Sequence, residues 1–422
     1  MHICLALAWG FLQSITNAGE AITWGLLLAI SLARLPKIWR CFLPVWRDPL
    51  WWILVTWAFW WAFAGLWGPQ VPGRSRVFLP ERWMLTPLML WPVMGRPWLI
   101  LGAMALGGAV QAGSIAVMSW HGAGWRTKLA ANGLSSLSQS QWQTATAFVL
   151  SVCALRFGSW PMRAAALVVV MVSGLGVIVL AVRTMVAASL AGACVSLTGC
   201  LPSRRAAVLR MVTVASGVAL VGGALLAWSP PGRSLRASLS RGMDALRSGS
   251  DAVAAFGASS ARLPLAQAAL DIGSGHPVVG GGRGAFAAGL PAWAKAEIAA
   301  DSALANLYAP FLTGSITDAH NAILQAWVDG GIPAATLLAA LLAGLALRLW
   351  RQSRTSPIAC AALALYSIVL VNVPGGIITA KSPGALIAVC LSISWICLGY
   401  RVANPITAPG ALPRSRLSAL YM

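Results

Sequence analysis

The stretch TDAHNAILQAWVDGGIPAATLL, beginning at Thr317, carries the most suggestive chemistry in the chain. His320 and Asn321 stand at the mouth of an apolar run, on a turn that also carries Asp318. A helix read from Asn321 puts Gln325 and Asp329 at i+4 and i+8, stacked on one face. A polar stripe entering a membrane helix ordinarily faces a cavity or the bundle interior rather than lipid. Imidazole exchanges a proton near neutral pH, which makes His320 a candidate general base. The plainer alternative is that Asp318 caps the helix and His320 only sits at the interface. Of the other histidines, His2 is terminal, His121 ends a span in SWHGAGWR and His276 lies in GHPVVG. Interfacial or loop-packing roles account for these.

Two arginines come next. Arg183 falls where VVVMVSGLGVIVLAV ends and TMVAASLAGACVSL begins, at one end of two apolar spans. A guanidinium at that depth is costly unless it is paired or faces water; a snorkelling interface anchor is the equal alternative. Arg262 opens a helix in SSARLPLAQAALDI, with Ser259 or Ser260 near its N-cap, and a solvated surface charge is its local alternative. Guanidinium is permanently charged and forks onto phosphate oxygens, so two such groups could neutralise a diphosphate where no metal is present. The sequence holds no DxD-type acidic pair, and its eight cysteines show no CxxC or metal-ligand spacing. Most of those cysteines sit in apolar spans, where they behave as small hydrophobes. No metal and no cofactor is expected.

The elements that must position these groups are membrane helices. The chain is 58% hydrophobic and 9% charged, with mean hydropathy +0.76, whereas a soluble protein carries roughly a quarter charged residues. In lipid every backbone polar group is satisfied internally, so long apolar runs mean helices, and these runs lack the alternation of a barrel. The balance of 30 Lys+Arg against 10 Asp+Glu would suit nucleic acid if clustered. Here the basic residues are dispersed among apolar spans, so topology and an anionic substrate explain them better and no nucleic-acid partner is expected.

Hydropathy and Pro/Gly/Arg punctuation predict an all-α polytopic membrane protein of about 12 helices: about 2–16, 19–35, 50–68, 83–95, 97–119, 141–157, 161–182, 184–201, 206–228, 321–350, 356–378 and 383–401. The short stretch ICLALAWGFL matches a signal-peptide core in length, but no Lys or Arg precedes it, so it reads as a first membrane helix. The organisation is then residues 1–228 with nine spans, an external helical loop over 229–320, three more spans over 321–401 and a tail over 402–422. Short connections on the side of the termini carry most of the arginine and lysine, among them Arg34, Lys37, Arg40, Arg204, Arg205 and Arg351. That bias puts both termini in the cytoplasm and the loop outside, in the periplasm of a Gram-negative cell. Within the loop, GSGHPVVGGGRGAFAAGL reads as a glycine-rich turn entering a helix, and no internal repeat is visible.

SSARLPLAQAALDIGSGHPVVGGGRGAF, followed after a spacer by AHNAILQAWVDGGI, resembles the O-antigen ligase and polymerase superfamily of bacterial envelope glycan enzymes. LAVRTMVAASL resembles that superfamily's arginine segment before the loop, and the order of the pieces agrees. The resemblance covers about 124–350. It implies an integral-membrane glycosyltransferase whose donor is a glycan on undecaprenyl diphosphate and whose acceptor, in a ligase, is a sugar hydroxyl of the lipid A core. By the same resemblance His320 matches the catalytic histidine, and Arg183 and Arg262 match arginines that hold the diphosphate. Asn321, and Arg126 and Lys128 ahead of LAANGLSSLSQSQW, would be supporting residues. Val182 stands where a serine is frequent, and Ala334 replaces the second glycine of a GxxG; neither change removes a charged or titrating group. The implied reaction is inverting and metal-independent, at the periplasmic face of the inner membrane among its lipids. A polymerase acting on a second lipid-linked glycan and a protein O-oligosaccharyltransferase differ only in acceptor. A lipid-linked glycan flippase would need the arginines without a base, and would spread basic residues through the depth of its spans.

Overall fold

The computed structural model describes residues 1–38, 42–69, 85–91, 94–120, 137–180, 183–199, 262–302, 305–313, 316, 318–373 and 381–398. Its regular elements are all helices: α1 His2–Leu12, α2 Asn17–Ile38, α3 Leu43–Trp46, α4 Pro49–Ala64, α5 Thr86–Leu90, α6 Pro97–Trp120, α7 Leu137–Phe157, α8 Trp160–Leu180 and α9 Arg183–Thr198, then α10 Arg262–Ser274, α11 Ala285–Ala300, α12 Ala305–Leu312, α13 Ala322–Gln352, α14 Pro357–Asn372 and α15 Lys381–Cys397. Among the described residues, four helices are long and apolar enough to cross a membrane: Asn17–Pro36, Pro97–Met118, Trp160–Leu180 and Ala322–Gln352. Five shorter apolar helices accompany them.

Most observed helices fall on the expected ones. The expected count of about 12 spans is not reached among the described residues: five of the expected spans are helices of only 10–17 residues, and at 83–95 the described helix is the single turn-and-a-half of α5. Pro87 sits in its first turn, and the following GRP restarts the chain as α6. The expected span 206–228 and the expected tail over 402–422 lie outside the described residues.

Local signals explain several boundaries. Asp48 caps α4 by accepting from the Leu50 amide at 3.0 Å, with Pro49 at the first helical position. Ser356 and Pro357 begin α14 in the same way. The bundle is made by α1, α6, α7 and α8 packed in sequence and by α9 wedged between α7 and α14. Small residues permit close approach: a Cβ on Gly176 of α8 would come within 2.9 Å of both Ala112 and Thr144. Cys153 Sγ lies 3.0 Å from Ser196 Oγ and Arg156 donates to the Ser196 carbonyl. Helices α7 and α9 thus run parallel, and Arg183 starts α9 at the same end of the bundle where α7 begins.

A second, smaller core belongs to the loop. Leu265, Ala268 and Ala269 of α10, Phe286, Leu290 and Ala294 of α11, Tyr308 and Phe311 of α12, and Ala319 and Val328 form one buried cluster. Helix α13 serves both cores. Ala322 and Ala326 pack into the bundle, while Leu324, Trp327 and Val328 face the loop. This division of faces at helical spacing fastens the loop to the membrane bundle.

Candidate active site

Helix α13 starts where the chain makes an unusual turn. His320 has φ +48°, the only positive value at a non-glycine residue among the described ones. Asp318 Oδ1 accepts from the His320 amide at 3.0 Å and lies 3.2 Å from His320 Nδ1. One carboxylate oxygen therefore hydrogen-bonds the backbone of the histidine and stands beside its ring. The imidazole is 43% exposed and Asp318 is 13% exposed. With Nδ1 turned to Asp318, Nε2 is the ring nitrogen left for a substrate.

Asn321, not Asp318, caps α13. Its side chain accepts from the amides of Ile323 at 3.0 Å and Leu324 at 3.1 Å, with extended backbone angles of φ −141° and ψ 117°. Asn321 thereby aims the helix and the histidine ahead of it, and its oxygen is occupied by that task. The capping alternative raised for Asp318 does not hold.

Of the two settings expected for the polar stripe, a cavity or the interior, the structure shows the interior. Gln325 and Asp329 are buried and hydrogen-bonded to each other, Gln325 Nε2 donating to Asp329 Oδ2 at 2.7 Å. Gln325 Oε1 accepts from the Ala319 amide at 2.8 Å, and Asp329 Oδ1 accepts from the Phe286 amide at 3.3 Å. The stripe pins the residue before His320 at one end and the first turn of α11 at the other. A carboxylate at a helix N-terminus is favourably placed there.

The glycine-rich turn is a joint. Gly280, Gly282 and Gly284 all have positive φ, as does Gly331, where α13 departs from helical geometry at φ 69° and ψ −167°. The break at Gly331 and Pro333 frees backbone groups that need partners. The Gly281 amide donates to the Val328 carbonyl at 2.9 Å, the Ile332 amide to Pro277 at 3.2 Å, and Trp60 Nε1 to Gly330 at 2.7 Å. Trp67 Nε1 donates to the Gly280 carbonyl at 3.3 Å, and the Arg283 amide to the Ala64 carbonyl at 3.0 Å. The Gly280, Gly281 and Arg283 amides are thus committed to protein carbonyls, and the turn locks the loop onto the C-terminal end of α4 and the kink of α13.

Arg262 reaches the start of α9 across the chain. Arg183 is the first residue of α9. Arg262, the first residue of α10 and exposed, donates through Nη2 to Thr184 Oγ1 at 3.4 Å across 78 residues of sequence. The N-termini of α9 and α10 therefore meet. Helix α10 in turn packs on α13. Among the described residues no group of three His, Cys, Asp or Glu side chains is arranged to hold a metal. Arg126, Lys128 and His121 lie outside the described residues. His276 is exposed, and its contribution to the joint is its carbonyl, which accepts from the Gly280 amide at 2.9 Å. His2 is buried, with Nε2 3.1 Å from the Met89 carbonyl.

Residues 166–339 match the family model for O-antigen ligase. The match supports the O-antigen ligase superfamily. It begins in α8 and ends within α13, so that Arg183, Arg262 and His320 all lie inside it. The family suggests ligase- or polymerase-type glycan transfer and a lipid-linked glycan in a membrane setting; the four long apolar helices agree with that setting. No curated relative matches the chain. Sequence reasoning missed Thr184 as the partner of Arg262 and misassigned Asp318. The signals were present as an R-T pair at a helix start and a D-x-H spacing, but both are common and neither specifies a contact.

Proposed function

We propose that this protein is an inverting, metal-independent O-antigen ligase that moves a glycan from undecaprenyl diphosphate to a sugar hydroxyl of the lipid A core. The active site would face the periplasm at the inner membrane, with both chain termini in the cytoplasm. His320 Nε2 takes the proton of the acceptor hydroxyl as that oxygen bonds to the donor's anomeric carbon. The bond from that carbon to the diphosphate breaks, and its electron pair leaves on the diphosphate oxygen. Arg183 and Arg262 stabilise the charge that develops there. Direct displacement of this kind inverts the anomeric centre.

The observation that carries this reading is the Arg262–Thr184 hydrogen bond. It sets the Arg262 guanidinium against the start of the helix that Arg183 opens, which supports a reading in which the two arginines serve one diphosphate leaving group. A partly exposed histidine with one ring nitrogen 3.2 Å from a carboxylate oxygen supports the role of the base.

The test is product analysis with the purified full chain in lipid nanodiscs, supplied with a lipid-linked glycan and either lipid A core or a second lipid-linked glycan. Glycan on the core, undiminished by EDTA, is the expected result. Elongation on the lipid carrier would make the protein a polymerase. Movement of donor across a bilayer without any new glycosidic bond would replace the enzyme by a transporter.

A further inference from the structure

Asp318 has no part in the reaction as written above, yet its position is specific. Its Oδ1 accepts from the backbone amide of His320 and approaches the ring Nδ1 of the same residue, at 3.0 and 3.2 Å. The histidine's φ of +48° is unfavourable for a side chain larger than glycine. A strained conformation persists where its surroundings hold it. Asn321 fixes the chain immediately after the turn by capping α13, and Gln325 fixes it immediately before by accepting from the Ala319 amide. Between these two clamps the imidazole has one anchor in the described residues, the carboxylate of Asp318.

We infer that Asp318 is the positioning residue of the base. It holds His320 in the tautomer that carries its proton on Nδ1 and presents an unprotonated Nε2 to the acceptor hydroxyl. This rests on His320 being the base. A free neutral imidazole takes either tautomer, and in the other one Nε2 carries a proton and cannot accept another. A carboxylate on Nδ1 removes that unproductive form and orients the ring. When Nε2 takes the acceptor's proton the ring becomes an imidazolium, and the adjacent Asp318 charge stabilises it. The proton then passes from Nε2 to water at the exposed ring.

The experiment uses full-length protein, labelled with ¹⁵N at the histidine rings and reconstituted in lipid bilayers. The His320 signals are identified by their loss in His320→Gln. In the unsubstituted protein, at a pH where the ring is neutral, Nδ1 should give the protonated-type signal and Nε2 the unprotonated type. Asp318→Ala should shift His320 toward the tautomer protonated on Nε2 and lower kcat on the order of 10- to 100-fold, with the donor KM little changed. Asp318→Asn keeps an acceptor for both N–H groups but loses the charge. It should preserve the tautomer and lose less activity, which also guards against misfolding of the alanine variant. A His320 ring unaltered in Asp318→Ala, or a ring that changes with no effect on kcat, would overturn the positioning role. Near-normal kcat in His320→Gln would remove the base itself, and this role with it, whichever tautomer the ring shows.

Discussion

Two carboxylates, Asp48 and Asp318, each face a basic side chain at the start of a helix-bearing segment, and they are built for different ends. Asp48 is buried against α13 and α15. Its Oδ1 accepts from the Leu50 amide and from Arg348 Nη2, at 3.0 and 2.6 Å, and its Oδ2 from Arg348 Nη1 and Trp395 Nε1, both at 2.5 Å. Trp395 stacks edge-on with Trp51 and Trp91 around this pair. Every lone pair of the carboxylate is used, the guanidinium is held by two parallel bonds, and the surroundings are indole rings. Asp318 instead serves one amide and one ring nitrogen, and its histidine is 43% exposed. The saturated pair joins three helices across some 300 residues of sequence and leaves nothing for a substrate. The unsaturated pair holds one ring and leaves its other nitrogen available. Hydrogen-bond saturation, more than the presence of charge, separates the architectural pair from the candidate catalytic one.

The comparison can be broken most directly at the two basic residues. His320→Ala should lower glycan transfer on the order of 10²- to 10⁴-fold with the folded yield unchanged, and His276→Ala should lose far less. Transfer rates at matched expression decide this. Comparable losses in both would mean that the histidines act through the loop's fold. Arg348→Ala should show the opposite pattern. Leaving a buried carboxylate unpaired costs about 3–5 kcal/mol, so the yield of monodisperse protein and its thermal midpoint in detergent should fall, while the specific activity of what remains folded stays near normal. Intact stability with lost turnover would assign the inner pair a functional role.

The arginines sharpen the outer half of the comparison. Arg183→Lys and Arg262→Lys keep a charge and lose the fork. Each should express normally and transfer on the order of 10-fold or more less well, with most of the loss in the step that releases diphosphate. Full activity in both lysine variants would show that simple charge suffices. The smallest effect is expected at the helix start. Asn321→Ala removes a cap worth about 1 kcal/mol. It should loosen His320 enough to lower kcat measurably while shifting the thermal midpoint only slightly, as followed by circular dichroism. A large stability loss there would mean that Asn321 supports more than its own helix.

Much of the molecule can be read from the chain alone because its signals are local. Hydropathy over a window of helical length, proline and glycine punctuation and capping side chains act within a few residues of where they stand, so α2, α6, α8 and α13 fall close to where they are expected. The same locality singles out His320, Arg183 and Arg262 by residue type and context. What the tertiary structure decided are pairings set by how helices pack. Arg262 meets Thr184 only because α10 docks where α9 begins. Gln325 and Asp329 read as a stripe facing either a cavity or the interior, and the structure spends them on the Ala319 and Phe286 amides, because α11 folds back onto that face of α13. Asp318 is a helix cap by its sequence position and a histidine partner by its geometry. Asn321 captures the cap, and the positive φ of His320, which no residue type other than glycine announces, turns the imidazole back toward the carboxylate.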